Sequence, residues 1–259
     1  MSTMDRQKSS KLNHLLQNWP AGSVAPTAWL KDQGISRQLL ARYEEYNWVT
    51  RLAKGVVTRN GDEVTWQGVV YALQTLQSLT VWVGAKTALQ LRGAAHFAQM
   101  SKIPTIHLYS TNLTRLPKWI FELKKIAQFE FQKSQLFSDK VTEQTLSLYE
   151  SGKMRIKISS LERAILELLD GVPHEQTFDE AKLIFENLST LRPGALQTLL
   201  EDCSSIKVKR LFLYFAEESG HAWFKKINVS KIDLGSGKRA IVPKGKLNLK
   251  YKILIPSDT

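Results

Sequence analysis

The chain has 259 residues, 43% of them hydrophobic, and 36 Lys and Arg against 24 Asp and Glu, a net charge of +12. That is apolar material for one large domain or two modest ones, which excludes a disordered chain, and a charge sign that draws polyanions such as DNA, RNA or an anionic surface. No apolar run nears the roughly 20 residues of a membrane span, and MSTMDRQKSSKLNHLL lacks the apolar core of a signal segment, so a cytoplasmic protein without a membrane partner is expected.

Leu12, Leu15, Leu16 and Trp19 recur at i, i+3, i+4, i+7, which predicts a first helix over 10–19 that Pro20, Gly22 and Pro26 end. A second helix is expected over 27–33, with Gly34 just past its end. The third opens at Ser36, an N-cap residue type, and repeats Leu39, Leu40, Tyr43 and Tyr46 at helical spacing. Asn47 follows where a left-handed residue is wanted. Val49, Leu52, Val56 and Val57 flank Ala53-Lys54-Gly55 and read as a hairpin, with a further turn at Asn60-Gly61.

A connecting helix is expected over 65–79, then strands over 81–83, 105–109, 129–131, 146–149 and 154–158. The stretch SSLERAILELLD, 159–170, reads as a helix with a serine cap and Glu162 in its first turn. Residues 178–226 read as helices interrupted at Pro193-Gly194 and at Cys203-Ser204-Ser205. The C-terminus returns to strand: a hairpin over 233–242 around Gly235-Ser236-Gly237, then the alternating LNLKYKILI. The expected class is α+β, an N-terminal winged helix-turn-helix followed by a larger mixed domain. The boundary falls between 60 and 80, so the parts are 1–80 and 81–259.

Three helices and a two-stranded hairpin are the order of a winged helix-turn-helix. With Leu39 and Tyr43 turned inward, the third helix presents Arg37, Gln38, Ala41 and Arg42 on its other face. Arginine pairs bidentately with guanine and glutamine with adenine in the major groove. The helix N-terminus and the Ser36 hydroxyl suit a phosphate. Lys54 at the hairpin tip, with Arg51 and Arg59 nearby, would follow the backbone or minor groove, while Glu44 and Glu45 sit toward the other end of the helix. An ordinary three-helix cap with a solvated basic face is the competing reading. The order of elements and the charge together favour DNA.

Residues 10–58 resemble the N-terminal winged helix of the AbiEi antitoxins of type IV abortive-infection toxin–antitoxin systems. The resemblance lies in Gly34-Ile35-Ser36-Arg37-Gln38-Leu39-Leu40 and Arg51-Leu52-Ala53-Lys54-Gly55-Val56. It continues in Ser159-Ser160-Leu161-Glu162-Arg163-Ala164-Ile165-Leu166 and Leu234-Gly235-Ser236-Gly237-Lys238-Arg239, and so spans nearly the whole chain. Two positions depart: Asn47 stands where a glycine is common, and Val57 where an aromatic residue is common on the wing. The resemblance implies an autorepressor that binds inverted repeats in its own promoter. It also implies an antitoxin domain opposing a nucleotidyltransferase toxin encoded alongside, without a stable complex.

Between 207 and 252 twelve bases, among them Lys207, Lys209, Arg210, Lys225, Lys226, Lys238 and Arg239, face three acids, Glu217, Glu218 and Asp233. They read either as a second nucleic-acid surface, for DNA or the toxin's RNA substrate, or as solvated lysines that discourage edge pairing. The resemblance favours the first. A protein acting through this surface on RNA is the alternative function.

Other features carry no chemistry. Gly235-Ser236-Gly237-Lys238 lacks the glycine, the Ser or Thr and the helix of a phosphate loop, and reads as a turn. His14, His96, His107, His174 and His221 have no ligand spacing, and Glu122, Glu130 and Glu143 form no metal-binding pair. The single cysteine, Cys203, excludes an internal disulfide and reads as a small buried side chain. Phe212, Tyr214, Phe215, Trp223 and Phe224 have the spacing of helix core rather than of a base-stacking surface. No enzyme, cofactor or metal is expected.

Overall fold

The computed structural model describes residues 15–95, 103–242 and 245–257. Of the first expected helix, residues 15–18 are helical, while Leu12 lies outside the described residues. Strand β1 (Val24–Pro26) follows, where the sequence signals only the end of the first helix at Pro20, Gly22 and Pro26. Next come α1 (Thr27–Asp32), α2 (Arg37–Glu45), β2 (Val49–Ala53) and β3 (Val56–Arg59). The three strands form one antiparallel sheet, with β3 in the middle: Val57 pairs with Ala25 on one side and Arg51 on the other. Trp19, Leu30, Ile35, Leu40, Tyr43 and Val57 bury their side chains between these helices and this sheet. Tyr46, read as part of that apolar face, instead lies beyond the last turn of α2 and is 66% exposed.

Helix α3 (Trp66–Tyr71) starts on a cap, Thr65, whose hydroxyl accepts from the Gly68 N–H at 3.1 Å, and runs into a π-helical turn, Ala72–Leu76. Leu76 packs against both the winged-helix core and the next one. The connecting segment therefore touches both.

Beyond it lies a mixed five-stranded sheet of order β6-β5-β4-β8-β7, made of β4 (Trp82–Val83), β5 (Thr105–Ser110), β6 (Gln128–Lys133), β7 (Leu146–Ser151) and β8 (Met154–Ser159). All five coincide with expected strands. Alternation splits its faces. Val83, Ile106, Leu108, Phe129, Ile156 and Ile158 share a core with Val69 and Leu73 of the connecting segment. Trp82 and Tyr109 join a larger core with α4 (Ala85–Leu91) and α6 (Leu161–Asp170). Helix α5 (Asp139–Gln144) precedes β7.

Helices α7 (Phe178–Glu186), α8 (Pro193–Asp202) and α9 (Ile206–Ser219) complete that core, broken where the sequence indicated. Phe212, Phe215 and Trp223 are buried in it, and Phe224 is half-buried against it.

Two C-terminal expectations need correction. Residues 233–242 form no hairpin: β9 (Arg239–Ala240) pairs in parallel with β11 (Ile253–Ile255). The alternating tail is not one strand but a short antiparallel pair, β10 (Lys246–Asn248) with β11, turning at 249–252. The turn residues are there, but a distant strand supplies their partners.

Candidate nucleic-acid interface

Ser36 caps α2: its hydroxyl accepts from the Leu39 N–H at 3.1 Å, and its backbone is extended. Leu40 and Tyr43 are buried and Leu39 half-buried, so one stripe anchors the helix. Ser36, Arg37, Gln38, Ala41, Arg42 and Glu45 are exposed on the opposite side. Asn47 has φ of +55°, and the Trp48 N–H returns to the Tyr43 carbonyl at 2.8 Å. This left-handed residue turns the chain straight into the wing. At the wing tip Gly55 has φ of +94°, and its carbonyl accepts from the Thr27 N–H at 2.9 Å, pinning the tip to the start of α1. Lys54 is exposed there.

The seven residues expected to touch DNA thus fall into two groups. Ser36, Arg37, Gln38, Arg42 and Lys54 face solvent, and among the described residues none is in an ion pair. Arg51 is exposed but paired with Glu44 of α2. Arg59 is half-buried over the Trp19 ring, 5.6 Å from its centroid, with Nη2 donating to the Leu16 carbonyl at 2.5 Å. Both tie the wing to the helices. The sequence reading missed this because their partners, seven and forty-three positions away, follow no local spacing.

The C-terminal bases divide in the same way. Lys225, Lys226, Lys238 and Arg239 are exposed. Lys209 and Arg210 are buried, which corrects their placement on a basic surface. The Arg210 guanidinium donates to the carbonyls of Leu234, Gly235, Gly237 and Lys252 at 2.6–3.2 Å, so it clasps the loop read as a hairpin. Lys207 is half-buried, its ammonium donating to the carbonyls of Asp170 and Val172, and burial lowers its pKa. Lys244, counted in that run, lies outside the described residues.

The SSLERAILE segment is structural. Ser160 caps α6, accepting from the Arg163 N–H at 3.3 Å. Arg163 and Glu167 form a fully buried pair at 2.6 Å. Glu167 also accepts from the Trp82 indole, the Ser159 hydroxyl and the Ala85 N–H. A carboxylate on α6 thereby caps α4 and fixes β4. Glu162 takes Arg192 bidentately at 2.9 Å. Burial alone would raise the Glu162 carboxyl, but the Arg192 hydrogen bonds hold it at about 2. Burial pushes the Cys203 thiol up to about 12, which suits an inert core residue. Among the described residues no group of His, Cys, Asp and Glu is placed to hold a metal ion, and no helix is long and apolar enough to cross a membrane.

Two family models cover almost the whole chain. The AbiEi antitoxin N-terminal domain matches residues 8–100, and the transcriptional regulator, AbiEi antitoxin of type IV toxin–antitoxin systems, matches 103–256. The chain belongs to the AbiEi antitoxin family. It is thereby a transcriptional-regulator antitoxin, for which DNA and a toxin are the implied partners. Among curated proteins none matches it. Among solved structures it is similar to the RV2827C protein from Mycobacterium tuberculosis, with 12% identity, 95% of this chain and 90% of that one covered, and a TM-score of 0.56. At that identity the likeness concerns the fold alone. In this AbiEi antitoxin the capped helix α2 leaves Arg37, Gln38 and Arg42 exposed, and the tip of the wing leaves Lys54 exposed.

Proposed function

We propose that this antitoxin represses its own operon. Residues 1–80 form the DNA-binding part, with α2 in the major groove. Arg37, Gln38 and Arg42 read base edges, Ser36 and the start of the helix hold a phosphate, and Lys54 follows the backbone. The observation that carries this reading is the exposed stripe Arg37, Gln38, Ala41, Arg42 on a serine-capped helix whose other side is anchored in the core. Residues 81–259 supply the antitoxin activity against a nucleotidyltransferase toxin, without a stable complex. A second reading, in which the C-terminal part acts on RNA, is supported by the exposed Lys225, Lys226, Lys238 and Arg239.

The test is binding of the protein to its own upstream DNA, against scrambled DNA, across a salt series. A steep salt dependence with a large preference for the upstream sequence is expected, and the spacing of protected half-sites gives the number of copies bound. Equal, salt-sensitive binding to both DNAs overturns the autorepressor and brings the RNA reading forward.

A further inference from the structure

Strand β4 is two residues long and meets β8 at a single pair, Val83 with Ile158. The Gln74 amide joins the two segments beside it. Its Nε2 donates to the carbonyls of Val81 and Lys157, both at 3.0 Å, and its Oε1 accepts from the Lys157 N–H at 2.7 Å. Gln74 sits on the π-helical turn, a geometry frequent at functional sites. Just after it Ser78 has φ of +52°, a conformation that non-glycine residues rarely adopt.

Beside this junction, with Gln74, Val81 and Lys157 in its lining, lies a cleft of about 430 Å³, within the range of small-molecule sites. Val81 and Trp82 are its buried floor, and Leu79, Leu146 and Leu148 give it apolar walls. Thr142 of α5 lines it too. That residue is 5% exposed, and its buried hydroxyl has no hydrogen-bond partner. Native interiors leave few such groups unsatisfied. Lys157 and Glu143 are exposed on the same cleft, and among the described residues neither is in an ion pair.

We infer that this cleft binds a small zwitterion with an apolar body, an apolar α-amino acid or a close analogue. The carboxylate faces Lys157 and the ammonium faces Glu143. The Thr142 hydroxyl, which solvent does not reach in this structure, turns to the head group as the guest enters and serves it as donor and acceptor at once. The side chain lies against Leu79 and Leu146. A nucleotide is disfavoured, because its phosphates would set several negative charges against one lysine beside a glutamate. A purely apolar guest would leave Thr142 unpaired. The site is separate from the DNA-reading face and does not depend on that reading.

L-leucine and L-phenylalanine, titrated to millimolar concentration into the full-length protein, are the probes, followed by amide chemical shifts. Saturable shifts are expected at Gln74, Thr142, Leu146 and Lys157. Thr142→Val keeps the shape, removes only the unpaired hydroxyl, and weakens binding about tenfold. Leu146→Trp fills the cleft and abolishes binding, with an unfolding midpoint at or above that of the parent chain. 4-Methylpentanoate and isopentylamine, each lacking one charge of leucine, bind at least about tenfold more weakly. Absence of saturable shifts with both amino acids overturns the inference. So does binding that survives Leu146→Trp, or that is equal for leucine and the two singly charged analogues.

Discussion

Buried charges do different work here from exposed ones. Arg163 is held by Glu167 and covers the Trp82 ring at 4.5 Å, while Arg210 is held by four carbonyls. Each would be costly to leave unpaired. Composition counts them as surface charge, so the sequence overstated the C-terminal basic patch. Glu162 gives a residue-scale prediction. Its carboxyl stands at about 2, below the ~4.3 of an unfolded glutamate, so the unfolded chain takes the proton first. The stability from this pair is complete above about pH 5, declines as pH falls, and is gone below about pH 2. It amounts to at most about 3 kcal/mol, less the screening of an Arg192 open to solvent. Urea unfolding of Glu162→Gln should therefore show a deficit near neutrality that closes on acidification. A deficit that does not change with pH would place the loss in packing rather than in the ion pair.

Between elements, contacts at glycine set what the chain tolerates. A Cβ on Gly68 of α3 would lie 2.0 Å from the Gly22 carbonyl oxygen, in the turn before β1. That close approach is what seats the connecting helix against the winged helix. Gly68→Ala should cost about 1–3 kcal/mol or more, because backbone rather than a flexible side chain is in the way. Gly194→Ala, in the first turn of α8 with nothing within 4 Å, should be neutral or stabilising by up to about 1 kcal/mol. Denaturant midpoints of the two variants, measured side by side, check this; equal midpoints would mean that α3 shifts freely. Elements with local signals were legible in the sequence: the Ser36 cap, Asn47 after the helix, the Lys54-Gly55 turn and the Ser160 cap all occur as read. Strand β1 was not, because three residues ending in proline carry no period. The 233–242 hairpin was misread for a related reason. Gly-Ser-Gly announces a turn but not which strand will pair beyond it, and here that strand is β11.

Across the whole molecule, the exposed side of α2 was legible because helical spacing alone decides which side of it is outside. The fate of the flanking arginines was not, because it depends on partners brought up by folding. This distinction yields a measurement on the proposed operator complex. Each phosphate contact contributes about 0.9 to the slope of log affinity against log salt. Lys54, exposed and outside any ion pair among the described residues, should lower the slope by about one contact when replaced by alanine. Arg59→Ala should leave the slope unchanged, since its guanidinium lies over Trp19 with Nη2 on the Leu16 carbonyl and Nε buried, and should instead lower the unfolding midpoint. Arg51→Ala should weaken binding with little change in slope. The cation it removes neutralises Glu44 on the helix proposed to enter the groove, and the freed carboxylate would then repel the DNA. A slope that falls for Arg51→Ala as far as for Lys54→Ala would mean that Arg51 exchanges Glu44 for a phosphate on binding. The wing would then have a second backbone contact, and the Glu44 pair would belong to the free protein alone.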